Sequence, residues 1–417
     1  MNHALLIAFQ FPPFSGSSGI QRTLMFCKYL REFGWDPIVL SAHPRAYPLT
    51  ADDLLDNIPA GLIVERAPAL DAGRHLAIAG RYFRISALPD RWSSWWFGGV
   101  LAGRRLIHRY RPKVIWSTFP IATAHMIGRS LARSSGLPLV ADFRDAMVVE
   151  HYQEPPMIEW SFRKVEAATV RSATAVVCTT PSSLALYSQR YGGDVNARFE
   201  CIKNGYDEGM FEAAGKIVGS HGPRKGPIKL LHSGLINRIE RNPQPFLKAL
   251  GELYTEQTIS PHSLRVVFRA PSDRDNFQQL VDQAGARDIV EVAHAIPYRE
   301  ALAELMESDG LLLFQGAICN HLIPAKVYEY LRAGRPILAL THTDGDTAKI
   351  LRGVDVNTIV DIESKERIKA FLPKFIQMIQ DASAPVAPLS VVKQFSRRQQ
   401  TRELATLFTQ VDATKSP

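Results

Sequence analysis

Short apolar runs, most of them rich in β-branched residues, alternate with longer segments of mixed polarity along nearly the whole chain. Apolar runs without polar alternation predict strands that are covered on both faces, and the helix-length segments between them predict parallel connections. In the first half the predicted strands are 4–9, 36–41, 61–65, 113–118, 138–143, 175–180 and 199–204. This pattern predicts a Rossmann-like α/β domain.

The alternation of strands and helices is interrupted once and then begins again. Residues 215–227 are polar and rich in Gly, Pro and Lys, which predicts a linker or an adjacent loop. Further predicted strands follow at 228–233, 264–269, 289–293, 310–314, 336–340 and 357–362. The second half is therefore predicted to form another Rossmann-like domain.

These elements predict an α/β protein with Rossmann-like domains at 1–205 and 206–385 and a helical tail at 386–417 that packs back onto the first domain. The length of 417 residues agrees with two domains, because one domain has about 150 residues on average. Sheets of this type bind ligands at the carboxyl ends of their strands. The active site is therefore expected in the cleft between the two domains.

Composition narrows the class of protein. With 46% hydrophobic and 22% charged residues the chain can fill two cores, which excludes a disordered protein. No apolar run reaches the roughly 18 residues that span a bilayer. The apolar N-terminus lacks a basic flank and a small-residue cleavage site, so it predicts a first strand and no signal peptide. Four scattered cysteines without a C-x-x-C pair indicate a reducing cytoplasm.

The formal net charge of +8 is concentrated in one segment. Residues 81–113 carry eight basic side chains and one acidic side chain. Within 81–111, aromatic and aliphatic residues recur at helical spacing between the arginines. One interpretation is an interfacial helix on anionic lipid headgroups, and the other is a first-domain helix with core aromatics and solvated arginines. Nucleic acid is disfavoured, because no recognised binding motif accompanies the charge.

The loop after the first predicted strand, QFPPFSGSSGIQR at 10–22, is the first candidate for chemistry. Gly16 and Gly19 let the backbone approach a ligand, and a helix that begins near Gly19 offers N–H groups to an anion. The spacing is not G-x-G-x-x-G, and no acid ends the second strand, which disfavours a dehydrogenase. The alternative is a glycine turn that only begins a helix.

The segment HLIPAKVYEYLRAGRPILAL at 321–340 is the second candidate. Pro324 suits the first turn of a helix and Gly334 suits its C-terminal cap. Glu329 then lies in the middle of this helix, where its carboxylate can accept two hydrogen bonds from the hydroxyls of a ribose. The alternative is a solvated or salt-bridged helical glutamate.

Several motifs in order along nearly the whole chain resemble glycosyltransferase family 4, retaining enzymes of the GT-B fold with two facing Rossmann-like domains. They are FPPFSGSSGIQR at 11–22, DFRD at 142–145, IKNGYD at 202–207, HSGLINRIERNP at 232–243, IPAKVYEYLRAGRPILAL at 323–340 and DGDTAKIL at 344–351. The DFRD and IPAKVYEYLRAGRPILAL motifs resemble the branch of bacterial cell-surface polysaccharide pathways. The resemblance implies that the first domain binds the acceptor and the second the nucleotide-sugar donor.

The resemblance also implies roles for individual residues of the second domain. Glu329 matches the second glutamate of the family's E-x7-E motif, which holds the nucleotide ribose. His321 replaces the first glutamate, which contacts the transferred sugar, and it can still hydrogen-bond a hydroxyl or a phosphate. Arg238 and Arg241 match the cationic pair that clamps the donor diphosphate through forked, charge-assisted bonds. The alternative for both is an exposed loop arginine.

Other residues complete the expected donor site. Gly345, Asp346 and Thr347 open the helix after the strand PILAL, so its N-terminus is expected to face the diphosphate. Lys326 lies in the first turn of the Glu329 helix and is a further candidate for the diphosphate. Gly16 and Gly19 are expected to contact the donor from the first domain.

A polar cluster is expected at the end of the DFRD strand in the first domain. Many family members have a histidine there, near the sugar, and here the matching residue is Arg144, flanked by Asp142 and Asp145. Two carboxylates and a guanidinium at a strand end can position sugar hydroxyls. The alternative is a purely structural salt bridge.

Together these features predict a cytoplasmic glycosyltransferase, peripheral on the inner face of the membrane. It would transfer a sugar from a nucleoside-diphosphate sugar to a lipid-linked polysaccharide or glycolipid precursor with retention. No cofactor and no obligatory metal are expected, because arginines can neutralise the leaving diphosphate. The alternatives are a GT-B-fold nucleotide-sugar epimerase and a non-catalytic nucleotide-sugar-binding protein, which His321 motivates.

Overall fold

In the computed structural model, the apolar runs of the sequence form the strands of two separate parallel sheets. The structure describes residues 1–16, 19–52, 54–77, 81–149, 155–218, 226–236 and 239–414. The strands are β1 Asn2–Ile7, β2 Trp35–Ala42, β3 Ile63–Ala67, β4 Val114–Thr118, β5 Leu139–Phe143, β6 Ala175–Cys178, β7 Arg198–Cys201, β8 Ile228–Ser233, β9 Leu264–Arg269, β10 Val290–Ala293, β11 Gly310–Gln315, β12 Ile337–Thr341 and β13 Ile359–Val360. Every predicted strand is confirmed.

Helices fill most of the segments between the strands. They are α1 Gly19–Tyr29, α2 Ala72–His75, α3 Trp95–Tyr110, α4 Ala122–Ser135, α5 Pro156–Ser172, α6 Pro181–Tyr191, α7 Glu208–Gly215, α8 Gln244–Thr255, α9 Arg274–Gln283, α10 Tyr298–Glu307, α11 Lys326–Ala333, α12 Asp346–Arg352, α13 Lys365–Gln380, α14 Leu389–Val392 and α15 Arg397–Ala413. No helix of the described residues is both long enough and apolar enough to cross a bilayer.

The chain divides into two compact units. The first comprises Met1–Asn204 together with Arg397–Pro417, and the second comprises Gly205–Ser396. In the described residues the first unit has a seven-stranded parallel sheet of order β3-β2-β1-β4-β5-β6-β7. The second has a six-stranded parallel sheet of order β10-β9-β8-β11-β12-β13. Both units are therefore Rossmann-like, as predicted.

Each sheet reverses its strand order at one point, which is where open α/β sheets bind ligands. This switch point lies between β1 and β4 in the first unit and between β8 and β11 in the second. Helices cover both faces of each sheet, with α3 and α4 opposite α1 and α15 in the first unit. In the second unit α8, α9 and α13 lie opposite α10 and α11.

The C-terminal tail is divided between the two units, which corrects the assignment of 386–417 as one segment. Helix α15 belongs to the first unit, where Phe408 is fully buried with its ring 5.4 Å from that of Trp35. Residues 386–396 belong to the second unit. There Val392 and Phe395 are buried, and the Phe395 ring lies 5.5 Å from that of Tyr328 on α11.

We expect Phe408→Ala to destabilise the first unit by about 3–5 kcal/mol, because it removes a fully buried aromatic ring between α15 and the sheet. Gln410→Ala, at an exposed position of the same helix, is the matched control and should change stability by less than about 0.5 kcal/mol. Denaturant unfolding followed by tryptophan fluorescence measures both. Equal losses in the two variants would contradict the packing described for α15.

Candidate functional site

The start of α11 is fastened to the end of β8 at the switch point of the second unit. Lys326 Nζ lies 3.2 Å from His232 Nε2, and one turn later the Tyr330 hydroxyl accepts a hydrogen bond of 3.0 Å from the Ser233 N–H. Gly334 ends the helix in the left-handed conformation, as the sequence predicted. The two contacts place the first turn of α11 beside the carboxyl ends of β8 and β11.

The protonation of His232 follows from its second contact. Nδ1 lies 2.9 Å from the Leu312 carbonyl oxygen, which only accepts, so Nδ1 carries the proton. Nε2 is then free of a proton and accepts from the Lys326 ammonium. Burial and the neighbouring Lys326 charge hold the pKa of His232 well below its ordinary value. The imidazole is therefore neutral and acts as an acceptor for the lysine.

The positive charge of Lys326 is only weakly compensated by neighbouring negative charges. Withdrawal from water and the positive charge of Arg241 lower the pKa of Lys326 to about 7, although Glu329 raises it. Gly234, at φ +103°, has a backbone conformation that favours glycine and lies next to this ammonium. A neighbouring anion would favour the charged form. The position is suited to a phosphate group.

Arg241 brings a second cation to the same region. Its Nε is buried and has no hydrogen-bond partner among the described residues, and its Nη1 lies 3.6 Å from the Glu240 carboxylate. The loop is held in place because the Gly316 N–H donates to the Glu240 carbonyl at 2.6 Å. Arg238, the other predicted arginine of this loop, lies outside the described residues.

Glu329 is oriented by a residue that the sequence did not single out. The hydroxyl of Tyr298, the first residue of α10, donates to Glu329 Oε1 at 2.6 Å. A carboxylate has several acceptor sites, so it can accept from more than one hydroxyl group. Tyr298 lies 31 residues before Glu329, and no motif connects the two in the sequence.

The His321 loop is joined to the start of α12. The Asp346 N–H donates to the Asn320 carbonyl at 2.9 Å, and the Thr347 hydroxyl donates to the Leu322 carbonyl at 3.2 Å. His321 therefore lies in the same loop cluster as the predicted residues at 345–347. The structure brings His321, Lys326, Glu329 and the beginning of α12 to the same edge of one sheet.

The beginning of α12 differs electrostatically from a simple anion site. Asp346, its first residue, is only 2% exposed, and its carboxylate lies 3.8 Å from Lys349 Nζ. A carboxylate at a helix N-terminus already compensates the positive end of the helix dipole. Gly345 packs against Asn320, whose Oδ1 would lie 2.8 Å from a Cβ at position 345. The cations of Lys326 and Arg241 are therefore better suited to a diphosphate than this helix end.

In the first unit, Asp142 forms a buried ion pair with Arg22. The guanidinium donates to the two carboxylate oxygens at 2.7 and 3.0 Å, and the Thr118 hydroxyl donates to the carboxylate at 2.9 Å. Arg22 also donates to the carbonyls of Ile202 and Lys203 at the end of β7. Asp142 and Arg22 are 0% and 1% exposed, so Asp142 acts in the scaffold and not on a sugar hydroxyl.

Arg144, two residues after Asp142, is directed toward a different neighbour. Its Nη1 donates to Gln10 Oε1 at 3.2 Å, while its buried Nε has no partner among the described residues. Burial lowers the pKa of this guanidinium, and the charges of Asp145 and Asp142 oppose that effect. Asp145 is partly exposed. The three residues of the predicted cluster thus have three different environments.

Gly19 makes the position of Arg144 possible. A Cβ at Gly19 would lie 1.8 Å from Arg144 Nη1 and 2.2 Å from Gln10 Oε1. A buried guanidinium thus lies directly against the N-terminus of α1, where the helix dipole is also positive, and the pocket beside it is too small in this structure for a water molecule. Gly16, at φ +87°, provides the left-handed turn that precedes this helix. Phe9, Thr118 and Phe119 line the rest of this small pocket.

Comparison with known proteins identifies the first unit. Residues 18–205 match the family model of the glycosyl transferase 4-like domain. No curated protein sequence matches the chain. The first Rossmann-like unit is therefore a glycosyl transferase 4-like domain, which agrees with the motif resemblance.

Solved structures cover the whole chain. Sucrose-phosphate synthase from Thermosynechococcus elongatus is similar with a TM-score of 0.69, 15% identity and 100% of each chain covered. A trehalose 6-phosphate synthase from Burkholderia multivorans gives 0.65, 11% and 100% of each chain. HepE from Anabaena in complex with UDP-glucose gives 0.61 and 13%, over 99% of this chain and 98% of that chain.

These similarities establish the fold at identities too low to transfer a substrate. They show that the chain as a whole has the GT-B fold, and the glycosyl transferase 4-like domain is shown for residues 18–205. The family domain indicates glycosyl transfer as the type of reaction.

We expect Asp142→Ala to destabilise the protein by about 3–5 kcal/mol, because the Arg22 charge would remain buried without its partner. Asp194→Ala is the matched control, since Asp194 is exposed and its side chain forms no hydrogen bond with a described residue. The control should stay within about 0.5 kcal/mol of the wild type in denaturant unfolding. If both variants lost the same stability, the scaffold role of Asp142 would be wrong.

Proposed function

We propose that the protein transfers a sugar from a nucleoside-diphosphate sugar to an acceptor. The main support is the placement of Lys326 and Arg241 near Glu329 at the switch point of the second unit. A diphosphate needs cations, and the ribose beside it needs a hydrogen-bond acceptor such as a carboxylate. HepE from Anabaena, which is similar in fold, has been seen with UDP and UDP-glucose, and this favours a nucleotide-sugar donor here.

In the proposed reaction the acceptor hydroxyl oxygen bonds to the anomeric carbon, and the bond from that carbon to the diphosphate breaks. The acceptor proton passes to an oxygen of the leaving diphosphate. Lys326 and Arg241, with Arg238 as the resemblance implies, neutralise the charge that grows on this group. His321 hydrogen-bonds a hydroxyl of the transferred sugar. We propose retention of configuration, and no metal or cofactor is needed in this scheme.

The first unit is proposed to bind the acceptor. Arg144 is a buried cation at the N-terminus of α1, and because the pocket beside it is too small for a water molecule in this structure, an anionic group of a substrate would have to displace the contact between Arg144 and Gln10. A lipid-linked saccharide precursor carries such a group in its phosphate linkage. The motif resemblance favours an acceptor from bacterial polysaccharide or glycolipid assembly for the cell envelope. This places the proposed reaction at the inner face of the cytoplasmic membrane.

A non-catalytic nucleotide-sugar-binding protein is the second candidate, because His321 stands where the family has a glutamate. Nucleotide-sugar binding without transfer to any acceptor would support it. Conversion of the sugar in the absence of an acceptor would instead indicate an epimerase.

We expect one nucleoside diphosphate among UDP, GDP and ADP to raise the thermal stability of the protein. At a hundredfold excess over Kd the gain is about 2.7 kcal/mol. Glu329→Ala and Lys326→Met should strongly reduce this gain, because they remove the ribose acceptor and a phosphate-binding cation. Glu300→Ala, an exposed carboxylate on α10, is the matched control and should keep it. A wild-type protein that no nucleotide stabilises would contradict the donor-site assignment.

We also expect nucleotide binding to take up a proton above about pH 7, because a diphosphate near Nζ favours the charged form of Lys326. The affinity should then fall as the pH rises from about 7 toward 10.5, the ordinary pKa of lysine. Calorimetry in buffers of different ionisation enthalpy measures the uptake. Lys326→Met should bind more weakly and without the uptake, and an unchanged uptake in this variant would assign the proton to another group.

A further inference from the structure

Helix α3, in the basic segment at 81–111, is fixed to the first unit by one side only. Trp95 and Val100 are buried in the core on that side. Gly99 and Gly103 bring the helix close to α4, since their Cβ atoms would lie 2.5 Å from Ile127 and 2.3 Å from Leu131. The interpretation of 81–111 as a first-domain helix is therefore confirmed for this side of α3.

The opposite side of α3 has a different composition. Phe97 and Leu101 are 67% and 62% exposed, and Arg104 continues the same stripe at the next helical turn. Arg105 and Arg109 lie beside this stripe and are also exposed. Core packing does not account for two large apolar side chains at these positions.

A 3-10 turn at Arg84–Ala87 lies near the start of α3 and also has exposed apolar side chains. Phe83 and Ile85 are 83% and 78% exposed. The turn is attached to the helix layer, because the Ser93 hydroxyl donates to the Ser86 carbonyl at 2.8 Å. We call the exposed side chains of the turn and of α3 the apolar–basic face; they are Phe83, Arg84, Ile85, Phe97, Leu101, Arg104, Arg105 and Arg109.

The charge of the apolar–basic face is uniformly positive. No acidic residue occurs between Asp90 and Asp142, whereas eight basic residues do. Asp90 is directed inward, where its carboxylate accepts from the Thr123 N–H at 2.8 Å and from the Thr123 hydroxyl at 2.9 Å. The arginines of the face form no ion pair with any described residue. They are therefore available to an external anion.

We propose that the apolar–basic face docks on the anionic surface of a lipid bilayer, with α3 lying in the plane of the interface. Large apolar side chains enter the region between headgroups and acyl chains, while flanking arginines reach the lipid phosphates. A protein partner would need acidic groups and an apolar pocket at matching positions. An anionic bilayer offers negative headgroups and an apolar interior over its whole surface, so it needs no such match. The docking proposal rests on the proposed function in one respect only. That function supplies the reason for docking, which is access to a lipid-linked acceptor.

Vesicle flotation of the whole protein tests the proposal. Phosphatidylcholine vesicles with phosphatidylglycerol should retain the wild type at low salt, and vesicles of phosphatidylcholine alone should not. High salt should weaken the binding because it screens the arginines. Arg104→Glu with Arg105→Glu should lower the partition coefficient by about 25-fold or more, since each basic residue contributes a factor of about five near such a surface. Phe97→Ser with Leu101→Ser should lower it as well.

Matched controls come from exposed positions of the second unit. Lys248→Glu with Lys374→Glu makes the same change of charge as the arginine pair, and Val386→Ser with Leu389→Ser removes two partly exposed apolar side chains. Both control pairs should bind vesicles like the wild type. The proposal would be overturned if control and test variants lost vesicle binding equally, or if the wild type did not bind anionic vesicles. A protein partner would then be the remaining interpretation of this face.

Nucleotide binding in solution separates this proposal from the proposed function. The variants of the apolar–basic face should bind the nucleoside diphosphate as the wild type does, and Glu329→Ala should still float with anionic vesicles. A variant that loses vesicle binding but keeps nucleotide binding therefore tests the docking proposal and not the donor site.

Discussion

The buried ion pair between Arg22 and Asp142 is the constraint on which the candidate pocket of the first unit depends. Arg22 belongs to α1, Asp142 to β5, and the same guanidinium binds carbonyls at the end of β7. A buried charge that lost its partner would be strongly destabilising, so α1 has one position relative to the sheet. That position sets Gly19 against Arg144 and thereby forms the pocket.

In the second unit, by contrast, the charges of the candidate site are not paired with each other. Lys326 and Arg241 are brought together at the switch point, and burial together with the Arg241 charge lowers the pKa of Lys326 to about 7. Such an arrangement costs stability in the empty protein and is relieved when an anion binds. Neutral His232, which only accepts from Lys326, holds the lysine in place without cancelling its charge. The charges of Arg22 and Asp142 thus neutralise each other within the first unit, whereas those of Lys326 and Arg241 are only partly neutralised within the second.

The sequence predicted elements whose signals are local. Continuous apolar runs gave every strand, and Gly334 gave the end of α11, because strand burial and helix capping depend on neighbouring residues. Pairings between distant residues had no such signal. Asp142 looked like a sugar-binding carboxylate because its partner Arg22 is 120 residues away. The division of the C-terminal tail between the two units at residue 396 had no local signal either. Both parts of the tail are apolar on one side, and only the packing in the structure shows in which unit each part is buried.

Helical spacing in the segment 81–111 showed which residues share a side of α3, but not which side is covered. In the structure, the covered side leads back to the candidate pocket. Phe9 lines the pocket with Arg144, and its ring lies 4.7 Å from that of Trp92 and 5.6 Å from that of Trp95. Because Trp95 begins α3, the apolar–basic face starts at the same sheet edge as the pocket. These aromatic contacts connect α3 with the pocket of Arg144, whose buried Nε, like that of Arg241 in the second unit, lacks a partner among the described residues.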